Sequence, residues 1–328
     1  MAEAGSKQEV YVGVDMGGTK VLAGVFDSQL RLIGTEKVST KSERGVDAVL
    51  ERVNRVVRDA VDECDLTMKQ VKGVGLGAPG AVDPESGKVL FAPNLRWTDV
   101  SLEKELEKLL EVPVFIENDC NVCALGVFER QLKGRFKHVV GIFIGTGIGA
   151  GIILDGKLFS GFNRTAGEIG HMVIDAGSEL KCGCGNKGCF EALASRTAIF
   201  KRLKDEVKRG EKTILTEMLG DDLANMRSGD LRKASRKNDK LVSKVIEEAA
   251  YFTGIAVANI INVLNPEAII LGGGVIDALE DEMMSIITEV AKDYAMPGTS
   301  KGVQILAAID ADNVGIVGAA VLARRESK

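Results

Sequence analysis

The sequence predicts an α/β fold in two lobes with a cleft between them, and three observations carry that expectation. The chain is 328 residues long, enough for two domains or lobes, each with its own core. A glycine-patterned segment occurs twice, offset by 128 residues. Around both copies, runs with strand character alternate with runs of helical spacing, the pattern of helices laid over a mixed sheet.

The first copy, VGVDMGGTKVLAGVFDSQL, covers residues 12–30, and the second, VGIFIGTGIGAGIILDGKL, covers 140–158. Val12/Val140, Gly13/Gly141, Gly17/Gly145, Asp27/Asp155 and Leu30/Leu158 are identical. Each copy reads as a β-branched strand, a Gly/Thr turn, a second strand and an Asp-containing turn. Val46, Val49, Leu50, Val53, Val56, Val57 and Ala60 then recur at helical spacing, and a strand over 71–78 runs into GAPG. Residues 114–119 read as a strand and 122–132 as a helix. Helical patterns fill 192–208 and 241–264, a strand over 267–271 runs into Gly272, Gly273 and Gly274, and a helix covers 276–294. The charged segment 209–240 is expected to be exposed helix and loop. The division that follows is a frayed, disordered tail over 1–9, a small N-terminal lobe over 10–121 and a larger lobe over 122–313. A C-terminal helix over 314–325 is expected to return to the first lobe.

Composition narrows the function. A net charge of −5 offers no basic footprint for nucleic acid or anionic membrane. The uncharged run 139–154 holds five glycines and is too short to span a bilayer, which takes about 20 apolar residues. The polar residues 1–9 carry no secretory signal. A soluble, cytoplasmic protein without nucleic-acid or membrane partners is expected. Six cysteines in such a chain point to metal ligands or free thiols rather than to disulfides.

The segment 168–191 is the densest in chemistry. Cys182, Cys184 and Cys189 form C-x-C-x4-C, with His171 shortly upstream. One His and three Cys make a closed four-ligand set, which fits a structural Zn²⁺ rather than a catalytic one. Glu168 and Glu191 bracket these ligands, so a metal here would also fix two carboxylates. The C-x-x-C pair Cys120/Cys123 reads more plainly as small buried helix residues.

The loop Asp15-Met-Gly-Gly-Thr-Lys20 lets backbone amides approach an anion, with a hydroxyl from Thr19 and charge from Lys20. It is not a P-loop, because Gly-Thr-Lys here precedes a strand. The matching loop holds Gly145, Thr146 and Gly147. Alone, either loop is a tight turn; two matched loops facing a cleft would grip a polyphosphate from both sides. Gly272–Gly274, between strand and helix, offers a third close approach. Asn118 and Asp119 end a strand before a helix, where such residues commonly serve as N-caps. At the lobe boundary the Asp119 carboxylate could also accept a proton from an attacking hydroxyl, with Asn118 orienting it.

These residues resemble the ROK family of sugar kinases and sugar-responsive repressors, most closely its bacterial glucokinases. The resemblance rests on DMGGTK (15–20), GAPGAVD (77–83), APNLRW (92–97) and END (117–119). It continues through GTGIGAGIILDGKLFSGFNRTAGEIGH (145–171) and CGCGNKGCFE (182–191), and covers residues 10–325. It implies a two-lobed actin-like ATPase (ribonuclease H-like) fold with a duplicated βββαβα core. It also implies phosphoryl transfer from MgATP to the 6-hydroxyl of a hexose, glucose first, with Asp119 as general base. Asn118, Glu168, His171 and Glu191, with Gly80 and Asn94, are the implied sugar contacts, His171 binding zinc through one ring nitrogen and sugar through the other. The resemblance further places Asp15, Gly17, Gly18, Thr19, Lys20, Thr146 and Gly147 at the phosphates, with Mg²⁺ near Asp15. Gly272, Gly273 and Gly274 would form the adenosine wall, and a homodimer or homotetramer is implied.

The sequence departs from the family pattern at Cys120 and Cys123, where many relatives carry alanine, and in an NLRW segment one residue short of NLPGW. Other acceptors (fructose, mannose, allose, an N-acetylhexosamine) and inorganic polyphosphate as donor stay open. A sugar-sensing repressor is the rival from another class. Only fourteen residues precede Asp15, which is expected to leave no room for a helix-turn-helix domain.

Overall fold

The computed structural model describes residues 9–327. The expected tail lies outside the described residues except for Glu9, whose carboxylate meets Lys72 at 2.6 Å. β1 (Val10–Met16) and β2 (Lys20–Asp27) form the first hairpin, and β3 (Leu32–Ser39) adds to its edge. α1 (Val46–Asp62) follows, its valines buried as their spacing requires. β4 (Val71–Ala78) then lies parallel to β1. A small antiparallel sheet not foreseen in the sequence comes next: β5 (Ala81–Asp83), β6 (Lys88–Ala92) and β7 (Trp97–Val100). α2 (Leu102–Leu110) leads to β8 (Val114–Asn118) and directly into α3 (Asp119–Val127). The sheet order is β3-β2-β1-β4-β8.

The second half repeats this plan. β9 (Val139–Ile144) and β10 (Ile148–Leu154) form the second hairpin, with a two-residue β11 (Lys157–Leu158) at its edge. β12 (Ala268–Gly272) and β13 (Gln304–Ala307) complete the order β11-β10-β9-β12-β13. In both sheets an antiparallel hairpin is followed by two parallel strands, so the duplication seen in the glycines is a duplication of topology.

The helices of the second half are α4 (Phe190–Ala194), α5 (Arg196–Lys208), α6 (Ile214–Leu219), α7 (Ser228–Ser235), α8 (Lys240–Leu264) and α9 (Ile276–Tyr294). The continuous helix expected over 192–208 is broken at Ser195, which adopts an extended backbone and caps α5 by accepting a hydrogen bond from Ala198 N at 3.1 Å. The segment expected to be exposed is anchored: Leu215, Leu223 and Leu231 are buried in the core under α6 and α7.

α10 (Ala311–Glu326) packs on β1, β4 and α3. That contact is backbone against backbone. A Cβ on Gly75 of β4 would lie 1.8 Å from the Ala319 carbonyl oxygen, and one on Gly318 would lie 1.6 Å from that of Val122 in α3. On its other side α3 meets the second sheet, where Ala124, Leu125 and Phe128 pack with Val139, Ile153 and Ile270. α3 and α10 are therefore the pair of helices between the sheets, and α3 starts at the candidate base. No described helix is long and apolar enough to cross a membrane.

Candidate active site

β8 feeds straight into α3, so Asn118 and Asp119 stand at the end of a parallel strand, where an α/β sheet opens into a crevice. Asn118 is an N-cap, the plainer of its two readings: its Oδ1 accepts from the amides of Cys120 (2.9 Å) and Asn121 (3.2 Å). Its Nδ2 donates to the Gly80 carbonyl at 3.0 Å, which leaves one N–H for a ligand. Gly80 has φ +93°, and a Cβ there would strike the Phe91 carbonyl oxygen at 2.2 Å. Glu117, buried behind, accepts from Asn118 N at 2.8 Å and Asn121 Nδ2 at 3.0 Å and so braces the junction. Its bracing role is not apparent from the sequence, although it stands in the same motif.

Asp119 Oδ1 accepts from the Cys120 amide at 2.8 Å, and the Cys120 thiol bonds the same carboxylate. Burial raises the Asp119 carboxyl to about 6; the nearby carboxylates of Asp15 and Glu168 push the same way, against the Cys120 N–H. Burial also raises Asp15, with Lys20 pulling it back. Three carboxylates from β1, α3 and the segment before His171 thus feel one another. Such a group calls for a cation, and Asp15 has the character of a carboxylate that would share one.

The Cys/His segment folds as its spacing predicts. The ligand atoms of His171, Cys182, Cys184 and Cys189 all lie within 4.8 Å of one another. Cys184 Sγ is 3.7 Å from Cys189 Sγ, and His171 Nδ1 is 3.5 Å from Cys182 Sγ. A tetrahedron with Zn–S of about 2.3 Å and Zn–N of about 2.0 Å has edges of about 3.8 and 3.5 Å, so the donor set fits zinc. Burial raises the thiol of Cys182, whereas the Asn186 N–H lowers that of Cys184.

With Nδ1 toward the sulfurs, His171 Nε2 faces Glu168 Oε2 at 3.8 Å. Glu191 Oε1 is 3.7 Å from Cys182 Sγ, and its Oε2 accepts from Ile148 N at 2.9 Å. The metal segment and the second glycine hairpin are thereby tied through one carboxylate. A Cβ at Gly147 would lie 2.4 Å from that Oε2, which explains the glycine.

Two clefts meet at this hairpin. One, about 560 Å³, is lined by Asn94, Thr146, Gly147, Cys182 and Glu191 among others. The second, about 790 Å³, includes Thr146, Arg196, Thr197 and Gly274. Thr146 is held from α5: Arg196 Nη2 donates to its Oγ1 at 2.5 Å, and Thr197 Oγ1 to its carbonyl at 2.7 Å. Gly273, at φ +88°, lets β12 turn under the Ile144 carbonyl, 2.7 Å from where a Cβ would sit, and Gly272 is buried at the strand's end. The first hairpin tip is held from behind, with Thr40 Oγ1 donating to the Gly17 carbonyl at 2.6 Å. Gly18 faces Asn94, and a Cβ on this glycine would lie 3.8 Å from Asn94 Cβ; the linings of these two clefts include neither the first hairpin tip, Asp15 to Lys20, nor Gly80, Asn118, Asp119, Glu168 and His171. Thr40, Arg196 and Thr197 escape a reading of the sequence because nothing local distinguishes them; their roles arise from contacts 23 to 51 residues away.

The chain is similar to known proteins over nearly its whole length. The ROK family pattern matches residues 11–326. The glucokinase of Halalkalibacterium halodurans is 30% identical over 316 residues, 96% of this chain and 95% of its own. The xylose repressor of Caldicellulosiruptor bescii is 33% identical over 262 residues, 80% of this chain and 65% of its own. The crystal structure of a ROK family glucokinase from Streptomyces griseus in complex with glucose and AMPPNP superposes with a TM-score of 0.84 at 32% identity, covering 96% of this chain and 99% of that one.

Proposed function

The chain belongs to the ROK family, with its two-lobed actin-like ATPase fold, and from that premise we propose that it transfers the γ-phosphoryl group of ATP to the 6-hydroxyl of a hexose, glucose first. The observation that carries the proposal is Asp119: a buried carboxylate where a strand meets a helix, fixed by the Cys120 amide and raised to about 6, in the company of the carboxylates of Asp15 and Glu168. Glu168, His171 Nε2, Glu191 and the remaining Asn118 N–H supply the hydrogen-bonding partners that a buried polyol requires. Asn94, which lines the 560 Å³ cleft, and Gly80, whose carbonyl holds Asn118, complete the proposed set.

Asp119 Oδ2 takes the proton of the attacking hydroxyl as the oxygen–phosphorus bond forms and the bond to the nucleoside diphosphate breaks. The backbone of Thr146–Gly147 would hold the transferred group, with the first hairpin tip reaching it on closure, and positioning and charge stabilisation would supply most of the rate. Mg²⁺ bound near Asp15 would offset charge on the phosphates. A zinc held by His171, Cys182, Cys184 and Cys189 would be structural, since four protein ligands would leave it no open position.

A coupled assay with a hexose panel against ATP and polyphosphate tests the proposal. ATP-dependent formation of a hexose 6-phosphate is the expected result. Sugar binding without turnover for any donor would instead support a sugar-responsive regulator, the reading favoured by the repressor relative.

A further inference from the structure

Cys120 gives the candidate base more than its amide. That amide is divided, donating to Asp119 Oδ1 at 2.8 Å and to Asn118 Oδ1 at 2.9 Å. One N–H shared between two acceptors holds neither as firmly as an undivided bond would. The Cys120 thiol supplies a second bond to the same carboxylate. Burial and the neighbouring Asp119 charge raise this thiol well above its usual value, so at neutral pH it keeps its proton and donates. For the same reason it makes a poor thiolate, which leaves donation as its chemistry.

The position of the sulfur is set from the opposite side by β10. A Cβ on Gly149 would lie 2.5 Å from Cys120 Sγ and 3.4 Å from Cys120 Cβ, so the sulfur fills the recess that this glycine leaves. One pleat along the strand, a Cβ on Gly151 would lie 2.4 Å from Ala124 Cβ and 2.8 Å from the Cys120 carbonyl oxygen. The first turns of α3 thus press directly on β10, and β10 begins at Ile148, whose amide Glu191 holds at 2.9 Å. The other titratable groups facing Asp119 are Asp15 from β1, Glu168 ahead of His171, and Cys123 one turn further along α3. Asp15 and Glu168 disfavour the ionised base, whereas the amide and thiol of Cys120 favour it.

We propose that Cys120 is a positioning residue for the transfer: seated on Gly149, its thiol hydrogen-bonds the Asp119 carboxylate and holds it in the orientation that receives the proton. This rests on the kinase reading of Asp119. It gives the cysteine a role beyond filling space between helix and strand.

Alanine and serine separate the two roles, because both are smaller than cysteine and only serine can donate. In steady-state kinetics Cys120→Ala should lower kcat by about 3- to 10-fold while the KM values for hexose and ATP stay unchanged. The acid limb of its kcat/KM profile should move to higher pH, since the carboxylate has lost a donor. Cys120→Ser should recover most of the kcat and the original limb. Equal kcat and equal limbs in all three proteins, or a serine variant as impaired as the alanine one, would overturn the proposal. A second measurement does not depend on turnover. The infrared S–H stretch of Cys120, isolated as wild type minus Cys120→Ala, should lie below that of an unbonded thiol and rise in Asp119→Ala. A wild-type band at the unbonded position would refute the contact whatever sugar is phosphorylated. A lowered band in a protein that phosphorylates no hexose would sink the kinase reading instead, and with it the role in transfer.

Discussion

Asp119 carries two opposite consequences of one cause, the burial that raises its carboxyl to about 6. As a base it must be ionised, so kcat/KM should fall about tenfold per pH unit below about 6, measured on the free-enzyme limb of a pH profile. As a buried charge it opposes folding. The folded state holds this proton up to about pH 6 and the unfolded chain releases it near 4, so the cost is complete above 6 and vanishes below about 4. Asp119→Asn should therefore lower kcat by about 10²–10⁴-fold. It should also stabilise the fold by about 1–3 kcal/mol at pH 7.5, a gap that closes toward pH 4 in urea titrations. A variant less stable than wild type at pH 7.5 would contradict this picture of the site.

At the scale of elements, the Cys/His segment is folded both by the convergence of four side chains and by backbone bonds such as Gly188 N to the Leu180 carbonyl and Phe190 N to the Met172 carbonyl. Cys184 and much of the turn around it are exposed. Elemental analysis should give about one zinc per chain, and Cys184→Ser should lose most of it. Chelation should loosen residues 168–191 in hydrogen exchange and release Glu191 from Ile148, with a rise in the KM for sugar. This element was legible in the sequence, because ligand spacing is local: C-x-C-x4-C places its sulfurs almost by itself. The hairpins, α1, β4 and α9 were legible for the same reason, each having a period and a punctuating glycine. The break at Ser195 was not, since a serine cap needs its helix to be placed first.

For the whole molecule, the decisive contact is α10 lying backbone to backbone on the first sheet and on α3. Gly318→Ala would put a methyl group into the Val122 carbonyl of the helix that begins at Asp119. A loss of about 1–3 kcal/mol in denaturant titrations is expected, together with reduced turnover as α3 shifts. Gly229→Ala, whose added Cβ would meet nothing within 4 Å, should cost far less stability and serves as the comparison. That helix also has a temporal meaning. At about 5–20 residues per second, a ribosome needs roughly 10–50 s to travel from Ala78 to Ala311. Throughout that interval one face of the first sheet awaits a cover that has not been synthesised. The nascent chain should therefore present β1 and β4 to cellular holdases, and any chaperone dependence should track the end of translation rather than the completion of the first half.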